Sequence, residues 1–327
     1  MAGRRCSFCA VGKNNIAVSI LRVWDLQWWG TFLYKAVLYL VFQVTVLLIF
    51  CNWQHLTNTM TNANNRKIAI FYTDHDDEWT GTHGNFVTMA KKLLDETKDH
   101  PADIEYDVFH VCNNEFPSPE LLSSVDEYGA RHYVGIFITG SRYDSFDNTT
   151  PWIIRFRALL NELLHDDKYP PIVGICFGHQ AIAKTLGCDV GRNPLGFEGG
   201  VARIDLNPVG AELFGTPVLH LTEVHNDVVF EPPVSGGYTN WGSSAKCAVQ
   251  GLYKPQRLLT FQGHPEFPSA VAARGVEKTR KTELEPGHTG AVTPAAELDA
   301  MIASTNEHPN DGAIASNKIW QLFSQRV

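Results

Sequence analysis

Pro171-Ile-Val-Gly-Ile-Cys-Phe-Gly-His-Gln-Ala-Ile182 is the stretch on which the reading of the whole chain turns. An apolar, β-branched run leads to Gly174, a cysteine stands between Gly174 and Gly178, and a helix-forming segment follows over residues 180–186. Gly-x-Cys-x-Gly between a buried strand and a helix is the sulfur counterpart of the nucleophile elbow. A sharp strand-to-helix turn brings backbones too close together for a Cβ, which accounts for the two glycines. Cys176 is then expected at a helix N-terminus, where the dipole and free N–H groups stabilise a thiolate. That position is the carboxyl end of a strand, where open α/β sheets place their ligands.

The flanking pattern agrees with such a sheet. From residue 66 onward strand and helix patterns alternate. Buried strands are expected at 67–73, 104–111, 133–138 and 172–175. Residues 85–96 have helical period, with Phe86, Met89, Leu93 and Leu94 on one side. Residues 151–164 predict a strong amphipathic helix with proline in its opening turn. Shorter strands are expected around 201–206, 246–251 and 258–261, antiparallel because short loops join them. Residues 283–297 are rich in Pro and Gly and predict a surface loop, and 313–325 a closing helix. Alternation followed by hairpins argues for an α/β fold: an open, mixed, mostly parallel sheet flanked by helices.

Downstream lies Phe261-Gln-Gly-His-Pro-Glu-Phe267. A cysteine nucleophile needs an imidazole to take its proton, and the imidazole needs a partner that fixes its tautomer. His264 and Glu266, at the exit of an apolar strand, can fill both roles. Elbow and His-Pro-Glu together resemble the class I glutamine amidotransferase family, whose fold is flavodoxin-like and whose triad is cysteine, histidine and glutamate. The resemblance covers 66–327. It implies Cys176, His264 and Glu266 as catalytic residues. It also implies that Val134-Gly-Ile-Phe-Ile138 runs into an oxyanion loop, Thr139-Gly-Ser-Arg-Tyr-Asp144, with Ser141 and Phe177 giving the amide donors. Most members have a second glycine where this chain has Ser141. Val224-His-Asn-Asp-Val228 resembles the family's His-x-Asp-x-Val segment. Gly140, Gln180, His225 and Asp227 are accordingly expected to line the substrate.

Composition narrows the function classes. The 327 residues are 44% apolar and 19% charged, enough for a sizeable core, and the net charge of −8 includes no basic block. Nucleic acid is therefore not an expected partner. Seven cysteines (6, 9, 51, 112, 176, 188 and 247) are odd in number and scattered, which reads as a reducing compartment with one functional thiol. Cys6-Ser-Phe-Cys9 is a lone Cys-x-x-Cys, and no phosphate loop occurs, so neither a metal nor another cofactor is expected.

Residues 1–59 form a separate object. Residues 32–52 are almost wholly apolar, long enough to cross a bilayer, with Trp28, Trp29, Tyr34 and Trp53 at the flanks. Two readings stay open. Translation from Met1 gives a single-pass membrane protein anchored by 32–52; a start near Met60 gives a cytoplasmic enzyme. By function, the Thr139–Asp147 run and Trp152-Ile-Ile154 look closest to stand-alone γ-glutamyl peptidases of plants and fungi. The expected activity is hydrolysis of γ-glutamyl amides in γ-glutamyl peptides, glutathione-type conjugates or glutamine, through a thioester on Cys176. The alternatives are a glutaminase subunit feeding ammonia to a separate synthase and a catalytically silent binding protein.

Overall fold

The computed structural model describes residues 39, 41–46, 66–75, 78–97, 104–285 and 291–324. The chain divides into two units, Met1–Asn64 and Asn65–Val327. In the first, residues 41–46 are helical. The expected apolar span at 32–52 lies mostly outside the described residues, as does Cys6-Ser-Phe-Cys9. No helix among the described residues is long and apolar enough to cross a membrane.

The second unit is built on a seven-stranded sheet. Its strands are β1 (Arg66–Tyr72), β2 (Ile104–His110), β3 (Tyr133–Ile138), β4 (Ile172–Ile175), β9 (Thr239–Asn240), β11 (Leu252–Lys254) and β12 (Leu258–Phe261), in the order β2-β1-β3-β4-β12-β11-β9. From β2 to β12 all neighbours run parallel, and β11 and β9 add an antiparallel edge. Strand β12 thus differs from the antiparallel expectation. Its hairpin to β11 is antiparallel, but its other side pairs parallel to β4, Leu258 with Ile172 through Phe261 with Ile175.

Side chains alternate across this sheet with the period of a strand. On β1, Ile68, Ile70 and Tyr72 face one core while Ala69 and Phe71 face the other. Helices α1 (Phe86–Asp95) and α8 (Gly312–Ser324) cover the first face; α3 (Pro151–His165) and α4 (Phe177–Thr185) cover the second. Helix α1 starts where Asn85 Oδ1 accepts from Thr88 N at 2.9 Å, satisfying one otherwise orphaned amide. Helix α3 opens on Pro151 and buries Trp152, Ile153, Phe156, Leu160, Leu163 and Leu164, a three-and-four spacing that makes one apolar stripe. The short α2 (Pro119–Leu122) lies between β2 and β3 in sequence.

Two smaller sheets follow the elbow. Strands β6 (Glu198–Leu206), β7 (Val218–His225) and β10 (Gly242–Ser243) form an antiparallel sheet, and β5 (Val190–Arg192) pairs antiparallel with β8 (Asp227–Val229). Helices α5 (Pro208–Phe214), α6 (Ser269–Glu283) and α7 (Ala295–Glu307) complete the unit. The strand expected at 246–251 is absent. Ser244 N donates to Cys247 O at 2.9 Å, closing a turn, and Asn240 Nδ2 donates to Ala248 O, so backbone pairing resumes only at Gln250, which donates to Gly242 O and accepts from Gln262 N, and at Gly251, which accepts from Trp241 N.

Candidate active site

Cys176 sits between the end of β4 and α4, as N-cap residue, with φ 47° and ψ −100°. A side chain in that region of backbone space holds about 1–3 kcal/mol of strain. The surroundings enforce it. Its amide donates to Phe261 O on β12 at 2.8 Å, and its carbonyl accepts from Gln180 N at 2.9 Å. A Cβ on Gly174 would lie 2.8 Å from the carbonyl carbon of Gly178, and one on Gly178 would lie 2.9 Å from Ile138 O. The glycines are therefore required by close approach of β4, α4 and β3, as the sequence implies.

His264 lies just beyond β12 and is held through its backbone. Its amide donates to Thr222 O at 2.7 Å, tying the turn to β7. Asn310 Nδ2 donates to the carbonyls of His264, Pro265 and Phe267 at 3.0, 3.1 and 2.7 Å. That clamp, 46 residues downstream, carries no sequence signal of its own. The imidazole stacks on Phe267 at 3.9 Å and is 3% exposed. Its Nδ1 is 2.8 Å from Glu266 Oε1, and the Cys176 side chain acts on the ring from its own position beside it. Burial disfavours the imidazolium, but the Glu266 carboxylate and Cys176 outweigh it and push His264 up to about 10. Cys176, His264 and Glu266 are thus brought together, the first two in the wall of one cavity of about 1020 Å³.

The loop after β3 is pinned by the end of β1. Thr73 Oγ1 donates to Gly140 O at 2.8 Å, and Ser141 Oγ donates to Thr73 O at 2.6 Å while accepting from Tyr143 N at 3.1 Å. Asp74 accepts from Arg142 N at 3.1 Å and Arg142 Nε at 2.6 Å. Ser141 is thus itself a strut between this loop and the end of β1. Among the described residues, the amides of Ser141 and Phe177 donate to no protein acceptor. The Phe177 side chain packs away from the cavity against Trp152 and Phe156.

The expected substrate-side residues fall into two groups. Gly140 approaches His264 so closely that a Cβ there would be 2.7 Å from Cε1. Gln180 Nε2 donates to Asp227 O at 3.0 Å and to Gln262 Oε1 at 3.1 Å, linking the elbow helix to β8. His225 lines the cavity but spends both ring nitrogens on the protein. Nδ1–H donates to Asp227 O at 3.0 Å, and Nε2 faces Glu198 Oε2 at 3.0 Å and Glu223 Oε2 at 3.2 Å. Burial opposes its charge, yet those two carboxylates hold His225 well above the ordinary histidine range, while burial pushes Glu223 up to about 7. Asp227 pairs with Arg192 Nη1 at 2.5 Å, and Arg192 Nη2 reaches Asp144 at 2.9 Å. Arg192 and Asp144 were not expected from the sequence; their pairing depends on a two-stranded sheet of three-residue strands.

The comparisons with known proteins agree with this architecture. The profile of the family "Glutamine amidotransferase class-I" matches residues 110–278. A Saccharomyces cerevisiae protein named "Putative glutamine amidotransferase YLR126C" is 50% identical over 267 residues, covering 80% of this chain and 99% of that protein. Gamma-glutamyl peptidase 2 of Arabidopsis thaliana is 31% identical over 225 residues, covering 67% and 83%. A crystal structure of a glutamine amidotransferase from Thermotoga maritima superposes with a TM-score of 0.55 at 16% identity, covering 80% of this chain and 98% of that one; at that identity the likeness is one of fold. On the profile match and the yeast relative, this chain belongs to the class-I glutamine amidotransferase family.

Proposed function

We propose that this protein is a cysteine-dependent hydrolase of γ-glutamyl amide bonds, with Cys176, His264 and Glu266 as its triad and residues 66–327 as its catalytic domain. The observation that carries this reading is the His264 ring, fixed at Nδ1 by Glu266 and turned to Cys176 at the cavity wall. Cys176 Sγ, its proton already held on His264, attacks the γ-carbonyl carbon. The amides of Ser141 and Phe177 receive the oxyanion. His264 returns the proton to the leaving nitrogen, the C–N bond breaks, and a γ-glutamyl thioester remains. Water then adds with His264 as base, releasing glutamate and Cys176 Sγ with the proton again on His264. Gly140 keeps the floor thin enough for His264, and Asp227 borders the γ-glutamyl group. Gln180 and His225 hold that border in place.

Cavity size favours a bulky leaving group. A volume of about 1020 Å³ is at the upper end of the range of about 300–1,000 Å³ typical for small-molecule sites. Relatives named gamma-glutamyl peptidases support the same choice. The test incubates the purified protein with glutamine, glutathione and a glutathione S-conjugate and measures free glutamate. γ-Glutamyl peptides or conjugates should be cut without a partner and with higher kcat/KM than glutamine. A preference for glutamine, or turnover only after a second protein is added, would favour an ammonia-supplying subunit instead.

A further inference from the structure

We propose that Glu198, Glu223 and His225 form a binding site for a divalent metal ion of the zinc type, set behind the wall of the active-site cavity. The inference stands apart from the hydrolase reading, because the reaction above uses none of the three as acid, base or oxyanion donor.

Strand geometry gathers the ligands on one face. Glu223 and His225 lie two residues apart on β7, so their side chains leave the same side of the sheet. Register then sets Glu198 of β6 directly opposite His225. His225 Nε2 is 3.0 Å from Glu198 Oε2 and 3.2 Å from Glu223 Oε2, and the three ligand atoms lie within 4.8 Å of one another. Bonds of about 2.0–2.2 Å to zinc, meeting at tetrahedral or octahedral angles, put neighbouring ligand atoms about 3.0–3.5 Å apart. No cysteine takes part, so the cysteine pattern of the sequence carries no sign of the site.

Two observations call for more than a proton at the centre. The first is the state of Glu223. His225 Nδ1 donates to Asp227 O at 3.0 Å, which leaves Nε2 as the ring nitrogen facing the carboxylates. One proton on Nε2 answers Glu198 but cannot answer both. Glu223, with no exposed surface, accepts no hydrogen bond at either oxygen, a costly condition for a buried carboxylate. Lys246, the cation that acts on Glu198, is committed to Glu297 and to the Phe197 carbonyl. A divalent ion takes both carboxylates and the Nε2 lone pair, and the charges then sum to zero.

The second is the surrounding shell. A backbone carbonyl on Nδ1–H is what fixes the tautomer and ring direction of a ligating histidine. Ser244 Oγ donates to Glu198 Oε1 at 2.7 Å, leaving Oε2 to face the centre. Position 263 is glycine where a Cβ would lie 2.4 Å from Glu223 Oε1, so the backbone before His264 makes room for this carboxylate. His225 also lines the cavity of about 1020 Å³, which gives an ion a way in. One imidazole with two carboxylates suits zinc, whereas magnesium and calcium favour oxygen alone. The ion ties β6 to β7 beside Thr222, whose carbonyl holds the His264 amide, and so braces the catalytic turn without touching substrate.

The test uses the untagged full-length protein carrying Cys6→Ser, Cys9→Ser and Cys176→Ser, so that neither the N-terminal pair nor the catalytic thiol takes the metal. It is stripped with chelator, loaded with Zn²⁺ alone and desalted. Mass spectrometry of the metal should find one Zn²⁺ per chain. Free Zn²⁺ at about a hundred times Kd should raise Tm by about 5–10 °C. X-ray absorption should show nitrogen and oxygen ligands at about 2.0–2.1 Å and no sulfur at about 2.3 Å. Glu198→Gln and Glu223→Gln keep the side-chain shape, and each should weaken Zn²⁺ binding about a hundredfold in calorimetry. Should either glutamine variant fail to fold, the stoichiometry and X-ray absorption of the parent still decide. No retained zinc, an unmoved Tm, a sulfur ligand, or an affinity indifferent to both glutamates overturns the site and leaves the cluster as a protonated histidine between carboxylates.

Discussion

An alanine at position 140 tests the placement of the His264 ring. A Cβ on Gly140 would lie 2.7 Å from His264 Cε1 and 3.5 Å from Phe86 Cε2. Carbon atoms pack best at about 3.5–4.0 Å, so the ring must move by about 0.8 Å or more. It has no soft direction in which to retreat, because Phe267 stacks on it at 3.9 Å and Glu266 holds Nδ1 at 2.8 Å. Misplacing a reacting group by about 1 Å costs about a hundredfold in rate, or about 2.7 kcal/mol of barrier. Overpacking costs about 1–3 kcal/mol of stability, and each kcal/mol lowers Tm by about 2–4 °C in a domain of this size. For Gly140→Ala we expect kcat/KM on γ-glutamyl-p-nitroanilide to fall about a hundredfold while Tm drops by only several degrees. The enzyme assay and a thermal melt on the same preparation separate the two effects. A folded Gly140→Ala protein within threefold of wild-type kcat/KM would refute the argument, since the ring would then not be where catalysis needs it.

Cys176→Ser should leave less than about a hundredth of the activity with an unchanged circular dichroism spectrum, and mass spectrometry of the wild type should trap a γ-glutamyl adduct on the Cys176 peptide alone. His264→Ala should cost about as much as losing the cysteine, and Glu266→Gln less. Against the opposing effect of burial, Glu266 and Cys176 keep His264 protonated up to about 10, so Glu266→Gln should move the alkaline limb of kcat/KM to lower pH; an unmoved limb would assign it to another group. Because the folded-state value lies above the ordinary 6.5, the imidazolium's contribution to stability is fully present below about pH 6.5 and lost as pH rises through about 10. Denaturant titrations at pH 7 and above pH 10 should show that loss in the wild type and a smaller one in His264→Ala. A chain starting at Met60 should keep full turnover per molecule, because every residue placed in the site lies beyond Arg66; an inactive product would move the domain boundary.

The local parts of this site were legible because each has a local physical cause. Gly174 and Gly178 announce a close backbone approach, Pro265 announces a chain leaving its ladder, and β-branched runs announce buried strands. What connects those parts was not legible. Asp74 reaches Arg142 across 68 residues and Asn310 reaches the His264 carbonyl across 46; an aspartate or asparagine in a loop looks the same whether it meets solvent or a distant backbone. The orientation of β12 escaped for a related reason. Short loops correctly imply its hairpin with β11, but a strand has two edges, and the pairing of its second edge with β4 is set by the whole sheet. The cluster of Glu198, Glu223 and His225 was half visible. His225 stood out within its motif, but the carboxylates that consume its Nε2 come from its own strand and from β6, and register alone brings them together.

The position of β12 between β4 and β11 has a consequence for the chain while it is being made. Cys176 is synthesised long before residue 261 of 327, and until β12 arrives β4 is an open edge and the Cys176 amide has no Phe261 carbonyl to hold its unusual backbone angle. His264 follows immediately on that last central strand. A chain that ends before β12 therefore carries Cys176 without His264, without the partner strand of β4 and without the Phe261 carbonyl that holds its backbone angle. The same insertion that closes the middle of the sheet brings Cys176 and His264 together, so an incomplete chain exposes a sticky edge while those two side chains remain apart.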